Sequence, residues 1–129
     1  MYPAHSKEEN DPDLYYIKMK GNETFKTAVR SLTEVSLEVL SRHGLAPNDV
    51  DWLFFHQANN RIIQAVANRL DIDKEKAYIN IDHIGNTSAA SIPIALDEAN
   101  RKGLIKEGQL LLMSAFGAGL TWGAALVRW

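Results

Sequence analysis

A compact apolar run between two helical patterns is the sequence feature that most constrains the fold. Residues 50–55 contain Trp52, Leu53, Phe54 and Phe55, and the run ends at the polar residue His56. A short apolar run with aromatic residues, bounded by polar ones, is typical of a buried strand. On both sides, apolar residues recur at spacings of three and four, which predicts helices over residues 23–42 and from Asn59 or Asn60 to Leu70.

The rest of the chain continues this alternation. We predict short strands at residues 14–17 and 78–81, a helix at 88–101 that ends at Gly103, and a final strand pair at 109–115 and 120–128 around a tight turn. Residues 1–13 are polar and contain two prolines, so we expect a flexible tail. Residues 14–129 then form one α/β domain, in which a mixed, mostly parallel sheet is layered with helices.

Composition excludes several classes of function. The 129 residues contain no cysteine, which rules out disulfides, thiolate metal ligands and a thiol nucleophile in this chain. The formal net charge of −2 gives no overall attraction to nucleic acid or to an anionic membrane. No apolar run approaches the ~20 residues that a membrane helix needs, and the start lacks the apolar stretch of a secretory signal. We expect a cytoplasmic protein without a metal, since no histidine pair has ligand spacing.

Two polar residues follow predicted strands. His56 comes directly after the run at 50–55, and Asn86 follows the predicted strand at 78–81 by a short loop. In open α/β sheets, catalytic groups gather beyond the carboxyl ends of strands, so the two side chains would meet in one cleft if their strands are neighbours. Taken alone, His56 is also consistent with a histidine satisfied by backbone groups, and Asn86 with a helix cap.

The helix predicted at 88–101 is small and apolar on most sides. Ala90, Ile92, Ile94 and Ala95 lie on different sides of it, and its own sheet covers only one. We therefore expect an apolar face without its natural cover, and self-association of the chain as a two-fold dimer.

Three motifs in this order and spacing carry a resemblance to a known family. They are 56–62 (His-Gln-Ala-Asn-Asn-Arg-Ile), 85–91 (Gly-Asn-Thr-Ser-Ala-Ala-Ser) and 115–123 (Ala-Phe-Gly-Ala-Gly-Leu-Thr-Trp-Gly). From about Met19 to its end, the chain resembles the carboxyl-terminal half of a β-ketoacyl-acyl-carrier-protein synthase III, of the thiolase superfamily. The resemblance implies a thiolase-like half-domain.

The resemblance also implies a function, the decarboxylative condensation that starts fatty-acid synthesis. An acyl-CoA loads a cysteine, and malonyl carried on acyl carrier protein then attacks the thioester; neither substrate is a bound cofactor. His56 and Asn86 match residues that hydrogen-bond the malonyl thioester oxygen and stabilise the enolate, and Phe116 matches an aromatic residue beside the cysteine. Gly21, Phe25 and Asn59 match the substrate tunnel. The carrier-protein surface matches Lys26, Gln57, Ala58, Asn59, Asn60, Arg61 and Arg69.

The absent cysteine is the main departure from the family. The nucleophile and much of the CoA site belong to the amino-terminal half, so we expect this chain to be inactive alone and to partner a cysteine-bearing half. Two alternatives stay open. The chain is either a non-catalytic module that binds acyl carrier protein or CoA, or one component of an enzyme assembled from two chains.

Overall fold

Helices and strands alternate along the chain and end in a strand pair. The structure is a computed structural model that describes residues 21–129. Its helices and strands are α1 (Gly21–Arg42), β1 (Trp52–Phe55), α2 (Asn60–Arg69), α3 (Ile81–Ile84), α4 (Ser91–Arg101), β2 (Leu110–Gly117) and β3 (Thr121–Arg128). Single 3₁₀ turns occur at Pro47–Asp49, Lys74–Lys76 and Ser88–Ala90.

The three strands form one mixed sheet in the order β1-β2-β3. β1 runs parallel to β2, with Phe55 paired to Ser114. β2 and β3 form an antiparallel hairpin in which Phe116 pairs with Trp122. The predicted α/β class with a mixed sheet is therefore confirmed. The sheet is not mostly parallel, because one of its two strand pairs, the longer one, is antiparallel. The hairpin turn and the carboxyl end of β1 lie at the same edge of the sheet, since β1 and β2 are parallel.

Side chains that alternate along the strands feed two separate cores. Leu53 and Phe55 of β1 pack with the first core, which also receives residues of α1 and α2. Phe54 points to the opposite face and packs with Ala95 and Ala99 of α4. Successive side chains of a strand point to opposite faces of the sheet, and both faces of β1 are buried. The sheet is therefore the middle of three layers. Helices α1 and α2 form one outer layer and α4 forms the other.

The strand predicted at 78–81 is wrong. Ala77 forms a single parallel bridge with Leu53, and the Tyr78 N–H donates to the Leu53 carbonyl at 2.9 Å. The chain then turns into α3, where the N–H groups of Ile84 and Gly85 donate to the carbonyls of Asn80 and Ile81. These backbone groups are satisfied by a helical turn, so no ladder continues beside β1. The predicted tail at 1–13 and strand at 14–17 lie outside the described residues.

The apolar face that we expected on the helix at 88–101 is partly covered in the structure. Within α4, Ser91, Ala95 and Ala99 are buried, and Ile92 and Leu96 pack partly against the second core. The most exposed large apolar side chains of residues 21–129 are elsewhere: Leu37, Ile84, Leu104, Leu120, Trp122 and Trp129. Of the four residues predicted on the open face, Ala90 is exposed, Ile92 and Ile94 are half-buried and Ala95 is buried. Self-association through this helix stays a prediction.

Candidate active site

One cavity of about 590 Å³ opens at the sheet edge where β1 and β2 end. It is lined by residues from four places: the end of β1, the loop before α4, the end of β2 with its turn, and the start of β3. The lining residues are His56, Asn86, Ser88, Ala89, Ala115, Phe116, Gly117, Ala118, Thr121, Trp122 and Gly123. The cavity thus brings together three residues that the sequence singles out: His56, Asn86 and Phe116.

His56 reaches the cavity because it extends the sheet by one residue. Its N–H donates to the Ser114 carbonyl at 2.9 Å, which continues the β1–β2 ladder and holds its Cα beside β2. The side chain is half-buried, and burial lowers the pKa of the imidazole below its ordinary value. Nothing among residues 21–129 hydrogen-bonds the ring. At neutral pH the ring is therefore neutral, with one N–H to donate and one nitrogen to accept.

Asn86 is oriented by the residue two positions later. Its Oδ1 accepts a hydrogen bond from the Ser88 N–H at 3.0 Å, and Ser88 adopts a left-handed φ of 52°. Because the oxygen is engaged in the loop, the Nδ2 group remains as the donor that can face a ligand. Gly85, immediately before, has φ 78° and ψ −170°, a region in which side-chain-bearing residues are strained. The loop conformation thus orients the Asn86 Nδ2 group as a hydrogen-bond donor at the cavity.

Gln57 braces the two sides of this site from beneath. Its side chain is 1% exposed. Its Nε2 donates to the carbonyls of Phe55 at 2.9 Å and Tyr78 at 3.1 Å, and its Oε1 accepts from the Asn80 N–H at 3.1 Å. One buried carboxamide therefore joins the end of β1 to the segment that leads into α3. This connection replaces the ladder that the predicted second strand would have supplied.

An aromatic pair forms one wall of the cavity. The rings of Phe116 and Trp122 stack across the hairpin, with their centroids 6.3 Å apart and their planes 11° from parallel. Trp122 is nevertheless 49% exposed, and neighbouring Leu120 is 59% exposed. Paired aromatics on adjacent strands stabilise a hairpin end. They also leave an apolar rim at the mouth of the cavity.

The other predicted substrate-binding residues lie outside the cavity, at the amino-terminal ends of α1 and α2. Gly21 is exposed at the start of α1, and the half-buried ring of Phe25 lies one turn further on. The Arg61 guanidinium of α2 sits over that ring, 5.5 Å from its centroid. Asn59 caps α2 by accepting from the Arg61 N–H at 2.9 Å. This contact brings the two helix starts together beside the His56 segment.

The predicted carrier-protein residues divide between surface and interior. Lys26, Ala58, Asn60, Arg61 and Arg69 are exposed on α1, on α2 or just before α2. We refer to Lys26, Arg61 and Arg69 as the basic surface. Gln57 does not belong to this exposed set, because its side chain is buried and its three hydrogen bonds are internal. Its role in the structure is the bracing described above.

Sequence reasoning missed several residues that shape the site. Ser88 carries no sequence signal for its left-handed backbone, since the residues that favour this region are glycine, asparagine and aspartate. Asn80, Glu98 and His83 form a polar cluster between α3 and α4, and their spacing along the chain gives no hint of it. Within residues 21–129, no group of histidine and carboxylate side chains is arranged to hold a metal ion. No helix there is long and apolar enough to cross a membrane.

Known proteins of one family are similar to this chain. The family model described as 3-oxoacyl-[acyl-carrier-protein (ACP)] synthase III C terminal matches residues 40–129. The chain is 54% identical over 131 residues to the β-ketoacyl-[acyl-carrier-protein] synthase III of Aquifex aeolicus, covering 100% of this chain and 42% of the relative. It is 53% identical over 124 residues to the synthase III of Caldanaerobacter subterraneus, covering 96% and 38%.

The fold agrees as well. A crystal structure of 3-oxoacyl-[acyl-carrier-protein] synthase III from Aquifex aeolicus superposes with a TM-score of 0.88 at 56% identity, over 91% of this chain and 38% of that one. The corresponding structure from Pseudomonas aeruginosa gives a TM-score of 0.87 at 41% identity, over 100% and 39%. The chain spans about two fifths of the length of the curated relatives it matches.

Proposed function

The chain belongs to the 3-oxoacyl-[acyl-carrier-protein] synthase III family, of which it carries the C-terminal domain, and we propose that it forms the decarboxylating side of a condensing site. In this proposal His56 and Asn86 bind the carbonyl oxygen of a malonyl thioester carried on acyl carrier protein. The observation that carries it is their meeting in one cavity at the carboxyl ends of β1 and β2.

The chemistry follows from two fixed donors. When the bond between the malonyl Cα and its carboxylate breaks, the electron pair moves into the thioester and an enolate oxygen develops as carbon dioxide leaves. Donors already in place stabilise that charge more than a flexible solvent does. Asn86 offers Nδ2 because its Oδ1 is held by Ser88. His56 offers one N–H, and its lowered pKa keeps the ring neutral without removing that proton.

The carbon–carbon bond then requires a second half. The enolate carbon attacks an acyl group held as a thioester on a cysteine, and the thiolate leaves as the 3-oxoacyl product forms. This chain contains no cysteine, and its hydroxyl and amine side chains are weak nucleophiles unless a neighbouring group activates them. We therefore expect the isolated chain to give no 3-oxoacyl product from acetyl-CoA and malonyl-carrier protein. The appearance of product would contradict this assignment.

The roles of His56 and Asn86 are tested in a chimera. The chain is joined to the cysteine-bearing amino-terminal half of the Aquifex aeolicus relative, and release of carbon dioxide from malonyl-carrier protein is measured separately from acyl loading. Loss of a preorganised donor lowers turnover by roughly 10²–10³. His56→Ala and Asn86→Ala should slow decarboxylation by this order and leave loading nearly unchanged, and exposed His43→Ala is the matched control. Equal losses in both half-reactions would indicate a packing role instead.

The basic surface is the proposed binding site for acyl carrier protein. Lys26, Arg61 and Arg69 are exposed, and Arg61 is held in place over Phe25 beside the start of α2. Lys26 follows Phe25 directly, so Arg61 lies near it, and cations on an otherwise slightly acidic chain attract an acidic protein at short range. We propose that acyl carrier protein docks here. Lys26→Glu and Arg61→Glu should weaken its binding in a salt-dependent way, and Lys106→Glu, at an exposed lysine before β2 at the opposite edge of the sheet, should not.

A non-catalytic carrier-binding module would use the same surface. The two functions separate in the chimera, because a binding module needs the basic surface and not the His56–Asn86 pair. Carrier binding with no decarboxylation in the chimera would favour the module.

A further inference from the structure

The loop that carries Asn86 is attached at both ends to one helix. Downstream, the turn Ser88–Ala90 runs directly into α4, and Thr87 Oγ1 lies 3.3 Å from Ser91 Oγ at the start of that helix. Upstream, Asn86 follows α3 after the single residue Gly85. The position of Asn86 therefore depends on how firmly α3 is held against α4.

Glu98 of α4 is the point at which α3 is held. Its side chain is 21% exposed. Its Oε2 accepts from Asn80 Nδ2 at 2.9 Å, and its Oε1 lies 2.9 Å from His83 Nε2. Glu98 comes seven residues after Ser91, which is about two turns of helix, so both attachments fall on the same side of α4. The segment from Asn80 to Ser91 is thus closed into a ring by side-chain contacts.

His83 is placed between two carboxylates. Its Nδ1 lies 2.9 Å from Asp82 Oδ1 of the same helix, and its Nε2 faces Glu98. The other charged group at this position is Lys102, at the end of α4, which donates to Glu98 Oε1 and to the Tyr78 hydroxyl. Both ring nitrogens of histidine donate only in the imidazolium form. The hydrogen bond to Asp82, and then that to Glu98, raises the pKa of His83.

We propose that protonated His83 is a positioning residue for Asn86, acting by locking α3 onto Glu98 of α4. The proposal rests on the function proposed above, because Asn86 matters only if it binds substrate. When His83 loses its proton, one N–H is left for two carboxylates. The hydrogen bond to Glu98 then forms only in the Nε2–H tautomer and lacks the attraction between opposite charges, so Asn80 becomes the main attachment of α3 to Glu98. The Asn86 amide should then be less firmly aimed at high pH than at low pH.

Nuclear magnetic resonance of the ¹⁵N-labelled 129-residue chain tests this without any activity assay. The side-chain Nδ2 signals of Asn86 and the ring signals of His83 are followed across a pH titration. We expect the Asn86 signals to shift along the titration curve of His83. We also expect the protection factors of the Ile84 and Gly85 amides, which hold α3 together, to fall above the His83 midpoint once the exchange rates are corrected for intrinsic base catalysis.

Three variants make the test specific. His83→Gln removes the cation and should abolish the pH-dependent shift, leaving low protection factors at all pH values. His83→Arg keeps a permanent cation that can still donate to Glu98, so it should abolish the shift and leave high protection factors throughout. His43→Gln, at an exposed histidine beyond α1, should leave the wild-type titration unchanged.

Two results would overturn the proposal. One is an Asn86 shift in the wild type that does not follow the His83 curve, and the other is a shift that survives in His83→Gln. Neither depends on catalysis. If the Asn86 signals follow His83 but the chimera shows no effect of Asn86→Ala on decarboxylation, the positioning is correct and the proposed function is wrong.

Discussion

The buried carboxamide of Gln57 should be among the most sensitive positions in this domain. Gln57→Met keeps the side-chain length and nearly the volume but removes three hydrogen bonds, to Phe55, Tyr78 and Asn80. At a net contribution of about 1 kcal/mol for each bond, the free energy of unfolding should fall by about 3 kcal/mol. A small domain has only about 5–15 kcal/mol in total, so this is a large fraction of it.

Urea unfolding followed by circular dichroism measures the effect. With a slope of about 2 kcal/mol per molar urea, the midpoint should fall by about 1.5 M. Gln64→Met is the matched control, since Gln64 lies exposed on α2 and its substitution should change stability by less than about 0.5 kcal/mol. A second signature is local: signals of Asn80 and α3 should change more than those of the β2–β3 hairpin. If Gln57→Met and Gln64→Met unfold at the same urea concentration, the bracing role is wrong.

Three further outcomes follow from the same structure. Gly85→Ala should destabilise the chain by roughly 1–3 kcal/mol through backbone strain. No steric clash adds to this cost, because a Cβ at Gly85 meets nothing within 4 Å. Gly21→Ala, at the exposed start of α1, is the matched control and should be nearly neutral in the same urea assay. Hydrogen bonds, first from Lys102 and then from Asn80, lower the pKa of Glu98 from 4.5 to about 2. The contribution of Glu98 to stability is therefore complete above pH 4.5 and is lost as the pH falls through about 2. The free energy of unfolding should decline between about pH 5 and pH 2, and this decline should be smaller in Glu98→Gln. Leu120 and Trp122 are exposed and should drive self-association at micromolar concentration, which sedimentation measures. The double variant Leu120→Ser, Trp122→Ser should associate less. A wild-type chain that stays monomeric across that range would show that these side chains do not drive association.

The sequence alone was sufficient for the elements whose determinants are local. Helix α1 was predicted within two residues of its start, because its apolar side chains recur at helical spacing over more than five turns. The Asn59 cap of α2 and the β2–β3 hairpin followed from capping chemistry and from apolar runs around a glycine turn. His56 and Asn86 were singled out because each follows a predicted strand. The strand predicted before Asn86 is wrong, although both residues line one cavity.

Only the tertiary structure decided how the site is held together. Residues 78–81 have the composition of a strand, yet α3 replaces the ladder there, because the buried Gln57 side chain takes the Tyr78 carbonyl and the Asn80 N–H that a strand would pair. Gln57 sits in an exposed-looking motif but is buried, and His83 meets a carboxylate fifteen residues away on another helix. Such contacts depend on which elements pack together. A hydrogen bond between residues that are distant in the chain produces no periodic sequence pattern from which it could be predicted. The sequence by itself therefore determined the catalytic candidates, and packing determined the network that orients them.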